Sequence, residues 1–118
     1  MLKRVSLKKT HEFKRVYNQG MYAANDSFVV YALANSLGYH RLGITTSKKV
    51  GCAVVRNRVR RWVKESFYNF PPVYNEETAF DFVVVARAPA GKLQGKGALS
   101  TVNVTLAQLY RRINRRKG

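Results

Sequence analysis

The sequence predicts an α+β fold in which a small sheet of about four strands packs with three helices. Short apolar runs rich in Val, Phe and Tyr alternate along the chain with segments whose apolar residues recur every three or four positions. The first pattern is typical of strands and the second of amphipathic helices. With 118 residues and 46% apolar content, the chain can form one compact core, so we expect a single domain over residues 1–118.

The first predicted element is a short helix. Thr10 can cap its start and Gly20 can end it, and Phe13, Val16 and Tyr17 share one face. An aromatic pair four residues apart is usual in a hydrophobic core. Beside basic residues, however, the same pair is also suited to stacking on nucleic-acid bases.

Strands are predicted next. The segment 27–34 is almost wholly apolar and places Val29 and Tyr31 on one side, while the segment 41–47 alternates in polarity. Because a short glycine-containing loop joins these two segments, we expect them to pair as a hairpin. Residues 21–25 predict a further short strand. Tyr31 is suited equally to the core or to an aromatic binding surface.

The segment 47–67 contains the most informative helix, which we expect from Val55 onward until Pro71 and Pro72 stop it. One arc is apolar and is predicted to be buried: Val55, Val59, Trp62, Val63 and Ser66. The remaining surface carries cations and an amide: Arg56, Asn57, Arg58, Arg60, Arg61 and Lys64, preceded by Lys48 and Lys49. A stripe with so few acids favours phosphate binding, although a solvated charged face is the alternative.

Residues 80–88 predict a further strand, so that segment 41–47, the basic helix and this strand form a β-α-β unit. Because β-α-β connections are almost always right-handed, the general rule predicts a right-handed crossover for such a unit. A glycine-rich connector leads to a last helix with Leu99, Val102 and Leu106 on one stripe, followed by a basic tail at 111–118.

The charge of the chain indicates its class of partner. Lys and Arg total 22 against 6 acids, which gives a net charge of +16. Such self-repulsion in a small domain predicts a polyanionic partner, and nucleic acid is favoured over a membrane surface because no apolar run approaches the ~20 residues of a spanning helix. With no signal-peptide pattern and a single cysteine, Cys52, which we expect to be buried, the predicted location is cytoplasmic.

Catalytic groups are not evident. The acids are scattered along the chain, and His11 and His40 lie far apart in sequence, so neither a carboxylate metal site nor a histidine acid-base pair is predicted. The segment around Cys52 lacks the glycine spacing of a phosphate loop, and no small-molecule substrate is indicated. We therefore expect no catalytic and no metal-ligating residues, and a protein that binds rather than catalyses alone.

The segment RNRVRRWVKESF, preceded by SKKVGCAVV and followed by the strand ending in VVVARAPA, resembles the protein subunit of bacterial ribonuclease P. The resemblance extends over the residues from about Leu7 to Ala90. It implies a small basic α+β protein that binds a catalytic RNA and the 5′ leader of precursor tRNA. In such an enzyme the RNA removes the leader with magnesium, which is bound mainly by the RNA. The resemblance also implies an unusual left-handed β-α-β crossover.

The resemblance implies roles for particular residues. RNA binding is implied for the basic-helix residues and the lysines before them: Lys48, Lys49, Arg56, Asn57, Arg58, Arg60, Arg61 and Lys64. A cleft for the leader is implied for Phe13 and Tyr17 on the first helix and for Val29 and Tyr31 on the sheet. Charge and size alone fit a structural RNA-binding protein, such as a ribosomal protein, equally well, and a stand-alone metal nuclease is a further alternative.

Overall fold

The fold is described from a computed structural model, for residues 5–69 and 79–117. Its three α-helices and four strands match the predicted α+β class. The helices are α1 (Thr10–Gln19), α2 (Ala53–Asn69) and α3 (Ala98–Lys117), the strands are β1 (Met21–Ala24), β2 (Phe28–Asn35), β3 (Arg41–Thr46) and β4 (Ala79–Ala86), and a 3₁₀-helix covers Ala88–Lys92. The predicted helix stop at Pro71 and Pro72 lies outside the described residues.

The four strands form one sheet in the order β1-β2-β4-β3. The predicted hairpin of β2 with β3 is therefore wrong, because β4 lies between them, antiparallel to β2 and parallel to β3. The hairpin that does form joins β1 and β2. All eight side chains of β4 except Val85 are buried. A strand so thoroughly apolar is stable only where both of its faces are covered, which favours a central position in the sheet.

The predicted β-α-β unit is present, with β3 and β4 paired in parallel from Arg41↔Asp81 to Thr46↔Ala86 and α2 between them in the chain. The handedness of this crossover stays a prediction.

Apolar side chains cover both faces of the sheet. On one face, Phe28, Phe82 and Val84 join buried residues of α2 and α3 in the main core. On the other face, Val16 of α1 packs against Val83 in a smaller cluster. The sheet therefore separates α1 from the two longer helices.

The ends of the helices differ from the predicted ones at two places. The residue that precedes α1 is Lys9, and its backbone N–H donates to the Glu12 carboxylate at 3.0 Å, so Glu12 rather than Thr10 satisfies the helix start. The helix α3 continues to Lys117, through the segment predicted as a basic tail at 111–118, and Ile113, which the sequence places on the apolar stripe of this helix, is buried as predicted. None of the described helices is both long and apolar enough to cross a lipid bilayer.

Gly20 ends α1, as predicted, for a steric reason. Its backbone N–H donates to the Val16 carbonyl at 2.8 Å, and a Cβ at this position would lie only 2.6 Å from that oxygen. The close approach lets the chain turn directly from α1 into β1.

A buried carboxylate on β4 organises the face of the sheet under α1. Asp81 is fully buried and accepts two hydrogen bonds from the Arg41 guanidinium, at 2.8 and 2.7 Å. Asn35 donates to the same carboxylate at 2.7 Å, and Arg15 of α1 approaches it at 3.4 Å. Arg41 also donates to Glu12 at 2.7 Å. Two acids expected to be scattered therefore meet at one arginine, which joins β3, β4 and α1.

We expect Asp81→Ala to lower the free energy of unfolding by about 3 kcal/mol or more, because it leaves the Arg41 guanidinium without its main partner in a largely buried position. Urea unfolding measures this change. Asp26→Ala removes an exposed acid and serves as the control, with an expected change within about 0.5 kcal/mol. Equal effects of the two substitutions would contradict the structural role of Asp81.

The carboxylate of Glu12 makes stability depend on pH. The backbone N–H of Lys9 and then that of Lys8 bind the charged form, and Arg41 adds to this, so the pKa of Glu12 falls from 4.5 to about 2. Because the pKa is lower in the folded state, the stabilisation is complete above pH 4.5 and is lost as the pH falls toward 2. We expect the stability difference between the wild type and Glu12→Gln to shrink over that range in urea unfolding series. A stability difference between the two proteins that stays constant with pH would contradict the lowered pKa of Glu12.

Candidate nucleic-acid interface

The helix α2 presents its cations because its apolar side is fixed in the core. Val59, Trp62, Val63 and Ser66 are buried as predicted, and Val55 is partly buried. The sequence-derived orientation of the helix is therefore confirmed.

The outer surface of α2 is open to a charged partner. Asn57, Arg61 and Lys64 are exposed, and Lys48 and Lys49 are exposed just before the helix. Arg61 has an acidic neighbour four residues later, but the two charged groups are 4.0 Å apart and both are exposed. Such a surface pair contributes little, so it leaves Arg61 available to phosphates.

Two arginines of the same helix have intramolecular roles as well. Arg60 donates to the Thr46 hydroxyl at 3.2 Å and to the Ile44 carbonyl at 3.4 Å. The Arg58 guanidinium lies 5.2 Å from the centre of the Trp62 ring and donates to a backbone carbonyl near the 3₁₀-helix. Arg56 is half-buried beside them. The basic surface predicted as one uniform stripe is thus divided into freely exposed and anchored cations.

The predicted cleft residues are grouped around α1, and we call Phe13, Tyr17, Val29 and Tyr31 the aromatic cleft. The rings of Tyr17 and Tyr31 meet edge to face with centres 5.0 Å apart. The Tyr17 hydroxyl shares a 2.8 Å hydrogen bond with the Thr45 hydroxyl, which fixes the ring position. Val29 is half-buried on the same face of β2, two residues from Tyr31.

Phe13 lies directly over the backbone of β3. A Cβ added to Gly43 would be 2.5 Å from the edge of the Phe13 ring, so the glycine provides the space that the ring occupies. This close approach determines how deep the ring sits against the sheet.

A groove connects the aromatic cleft to the basic helix. A cavity of about 320 Å³ is lined by Phe13 and Tyr17 on one side and by Arg60 and Lys8 on another. A neighbouring cavity shares Phe13, Lys8 and Arg60 and adds Lys64. Arg60 therefore belongs both to the basic surface of α2 and to the groove beside the aromatic cleft. Val29 and Tyr31 line neither of these two cavities and lie on β2, on the other side of Tyr17.

Three residues near the cleft and the groove were not predicted to belong to the site. Thr45 lines the groove, and Val85 is half-buried in register with Val29 and Thr45. Period-two alternation indicates which face each side chain occupies, but only the sheet order places β4 between β2 and β3. Lys8 was likewise missed, because it precedes α1 in an irregular segment.

Neither a metal site nor a catalytic pair is found in the described part of the chain. No group of three His, Cys, Asp or Glu side chains there could hold a metal ion. His40 is half-buried, its Nδ1 accepts from the Phe80 backbone N–H at 3.0 Å, and burial lowers its pKa. It therefore supports the β4 strand as a neutral side chain.

The prediction that Cys52 is buried is wrong. Its side chain is exposed immediately before α2, where backbone N–H groups of Val55 and then Val54 lower its pKa. The apolar arc of α2 begins only at Val55, so nothing covers the residue that precedes the helix.

The sequence model of the Ribonuclease P family matches residues 1–110. The chain belongs to the ribonuclease P protein family. The ribonuclease P protein component of Thermoanaerobacter sp. strain X514 is 47% identical over 83 residues, which cover 70% of each chain. That of Listeria innocua is 37% identical over 94 residues, which cover 79% of this chain and 77% of the relative.

Solved structures of the family have the same fold. The ribonuclease P protein of Staphylococcus aureus has a TM-score of 0.79 at 33% identity, with 93% of this chain and 95% of that chain covered. The protein of Thermotoga maritima has a TM-score of 0.75 at 30% identity, with 92% and 97% covered. The chain is therefore an RNA-binding protein subunit of ribonuclease P, the endoribonuclease of tRNA 5′ processing, and a ribosomal-protein role is not favoured.

We expect Gly43→Ala to displace the Phe13 ring and to lower the free energy of unfolding by about 1–3 kcal/mol through overpacking. Thermal and urea unfolding measure the stability, and the chemical shifts of the Phe13 ring report its displacement. Gly97→Ala is the matched control, because a Cβ there meets nothing within 4 Å. An unchanged Phe13 environment in Gly43→Ala would disprove the contact.

Proposed function

We propose that this ribonuclease P protein binds two RNA partners, the catalytic RNA of the enzyme and the 5′ leader of precursor tRNA. The observation that carries the proposal is the groove lined both by the rings of Phe13 and Tyr17 and by the cations Lys8 and Arg60. An unpaired RNA strand needs both kinds of group, because its bases stack on aromatic rings and its phosphates require neutralisation.

The proposed roles divide the basic helix between the two partners. Arg60 and Lys64 line the groove beside Phe13, so we assign them to the phosphates of the leader. The other predicted RNA-binding residues are assigned to the catalytic RNA: Lys48, Lys49, Arg56, Asn57, Arg58 and Arg61. A structured RNA presents a high density of phosphates, and exposed cations such as Arg61 can approach it closely.

The leader is assigned to the aromatic cleft. Tyr17 and Tyr31 present an edge-to-face pair, and Val29 continues the apolar surface along β2. Because α1 packs against β2 and β4, it forms one wall of a shallow trough and the sheet forms its floor. A trough of this kind accommodates an unpaired strand but not a duplex.

In this proposal the catalytic RNA performs the hydrolysis with magnesium, which the RNA mainly holds. The protein contributes its charge of +16, which reduces the repulsion between catalytic RNA and substrate and so lowers the magnesium requirement. Cleavage titrated against magnesium with and without the protein tests this contribution. We place the reaction in the cytoplasm, with RNA rather than a small molecule as the substrate.

We expect Phe13→Ala and Tyr17→Ala to weaken binding of precursor tRNA by roughly five- to a hundredfold, because each removes a stacking surface, and to leave binding of mature tRNA unchanged. Equilibrium binding to the enzyme reconstituted with its cognate RNA measures both affinities. Tyr17→Phe retains the ring while it removes the hydrogen bond to Thr45, so its loss should be smaller. Leu37→Ala removes an exposed apolar side chain in the turn that follows β2 and is the control.

Equal losses for precursor and mature tRNA would indicate a general RNA-binding role and would contradict leader recognition. Cleavage of precursor tRNA by the protein alone would contradict the assignment of chemistry to the RNA.

A further inference from the structure

A third tyrosine extends the aromatic cleft to the edge of the sheet. Tyr22 lies on the outer strand β1, directly opposite Tyr31 in the antiparallel register. Its ring centre is 5.7 Å from that of Tyr31, and the two ring planes are tilted by 36°. Tyr31 in turn meets Tyr17 at 5.0 Å. Three rings from three different elements therefore form a continuous row.

The two ends of this row differ in exposure. Tyr17 of α1 is half-buried and bonded to Thr45, whereas Tyr22 is 54% exposed. A single exposed aromatic residue on an edge strand needs no functional explanation, since tyrosine is common in strands. What distinguishes Tyr22 is that its exposed ring continues the surface on which we place the leader.

A cation from α3, which packs on the other face of the sheet, reaches the same edge strand. The Arg112 guanidinium of α3 donates to the Ala24 carbonyl at 2.9 Å, two residues beyond Tyr22 on β1. A guanidinium has five N–H donors, so this one bond holds the group in place and leaves other donors for an anion. A ring and a positioned guanidinium on the same edge strand suit a nucleotide strand, which presents bases and phosphates together.

We propose that Tyr22 provides an additional stacking position for one unpaired nucleobase of the leader, and that Arg112, held at Ala24 on the edge of the same strand, meets a phosphate of the strand as it leaves the ring. The inference rests on the proposed function and extends the aromatic cleft across β1. The ligand class is an unpaired nucleotide of single-stranded RNA. Purines should be favoured over uridine at this position, because they stack on tyrosine over a larger area.

The experiment uses the enzyme reconstituted with its cognate RNA and a series of precursor tRNAs with leaders of increasing length. Tyr22→Leu retains an apolar cover over Tyr31 but has no π face, and Tyr22→Phe retains the ring. We expect Tyr22→Leu to weaken binding by roughly five- to a hundredfold for leaders long enough to reach the ring, and to bind shorter leaders normally. Tyr22→Phe should stay within about twofold of the wild type at every length.

A spectroscopic readout separates stacking from packing. A single 2-aminopurine placed at successive leader positions is quenched when it stacks on an aromatic ring. We expect one position whose quenching is lost in Tyr22→Leu and retained in Tyr22→Phe. Arg112→Gln should reduce the salt dependence of binding for long leaders by about one ion, without a change for short leaders.

The outcomes distinguish this inference from the proposed function. If Tyr17→Ala weakens leader binding while Tyr22→Leu does so at no length, or equally at all lengths, the stacking position is refuted and leader recognition stands. If neither variant weakens binding of precursor tRNA relative to mature tRNA, leader recognition itself fails. Thermal unfolding of each variant shows whether it is folded, and Tyr22→Ile, which also has no π face and favours a strand, replaces Tyr22→Leu in both measurements if Tyr22→Leu is unstable.

Discussion

The bidentate ion pair between Arg41 and the buried Asp81 carries the arrangement on which the candidate interface depends. Burying a carboxylate in the central strand is costly, and here Arg41, Asn35 and Arg15 compensate it with hydrogen bonds from three different elements. Arg41 also binds Glu12, which itself accepts the N–H groups at the start of α1. One guanidinium thereby fixes the position of α1 on the sheet.

The position of α1 determines where a ligand can bind. The ion pair holds the first turn of the helix at the Asp81 end of the sheet, and its later residues Phe13 and Tyr17 extend over β3 and toward β2. The row of the sheet that contains Val29, Val85 and Thr45, the partner of Tyr17, is only half-buried. A charged network at one end thus leaves an apolar trough at the other. The polar network and the apolar trough are two consequences of one helix placement.

On the basic surface, too, single side chains serve both structure and binding. The cations of α2 must stay apart from acids to remain available, yet a helix with so many cations also needs firm attachment to the domain. Arg58 and Arg60 meet both needs, because each bonds to a neighbouring backbone carbonyl and retains further donors. Arg60 in addition lies at the junction of the basic surface and the groove. In the proposed complex, the phosphates of an RNA strand therefore meet Arg60 where its bases meet the aromatic rings.

The sequence by itself determined the class of fold, the buried arc of α2, the stripe of α3 and the excess of positive charge, because periodicity and composition are local properties. The RNRVRR segment also determined the family. Only the tertiary structure decided that β4 separates β2 from β3, that Asp81 meets Arg41 and Glu12, and that Cys52 is exposed. The order of the strands follows from covering both faces of β4 rather than from any turn between segments, and it places Asp81 beside Arg41. Cys52 is exposed because it precedes the apolar arc of α2. The β1–β2 hairpin brings Tyr22 to Tyr31, whereas Arg60 and Phe13 are distant in the chain and meet only once their helices have packed against the sheet.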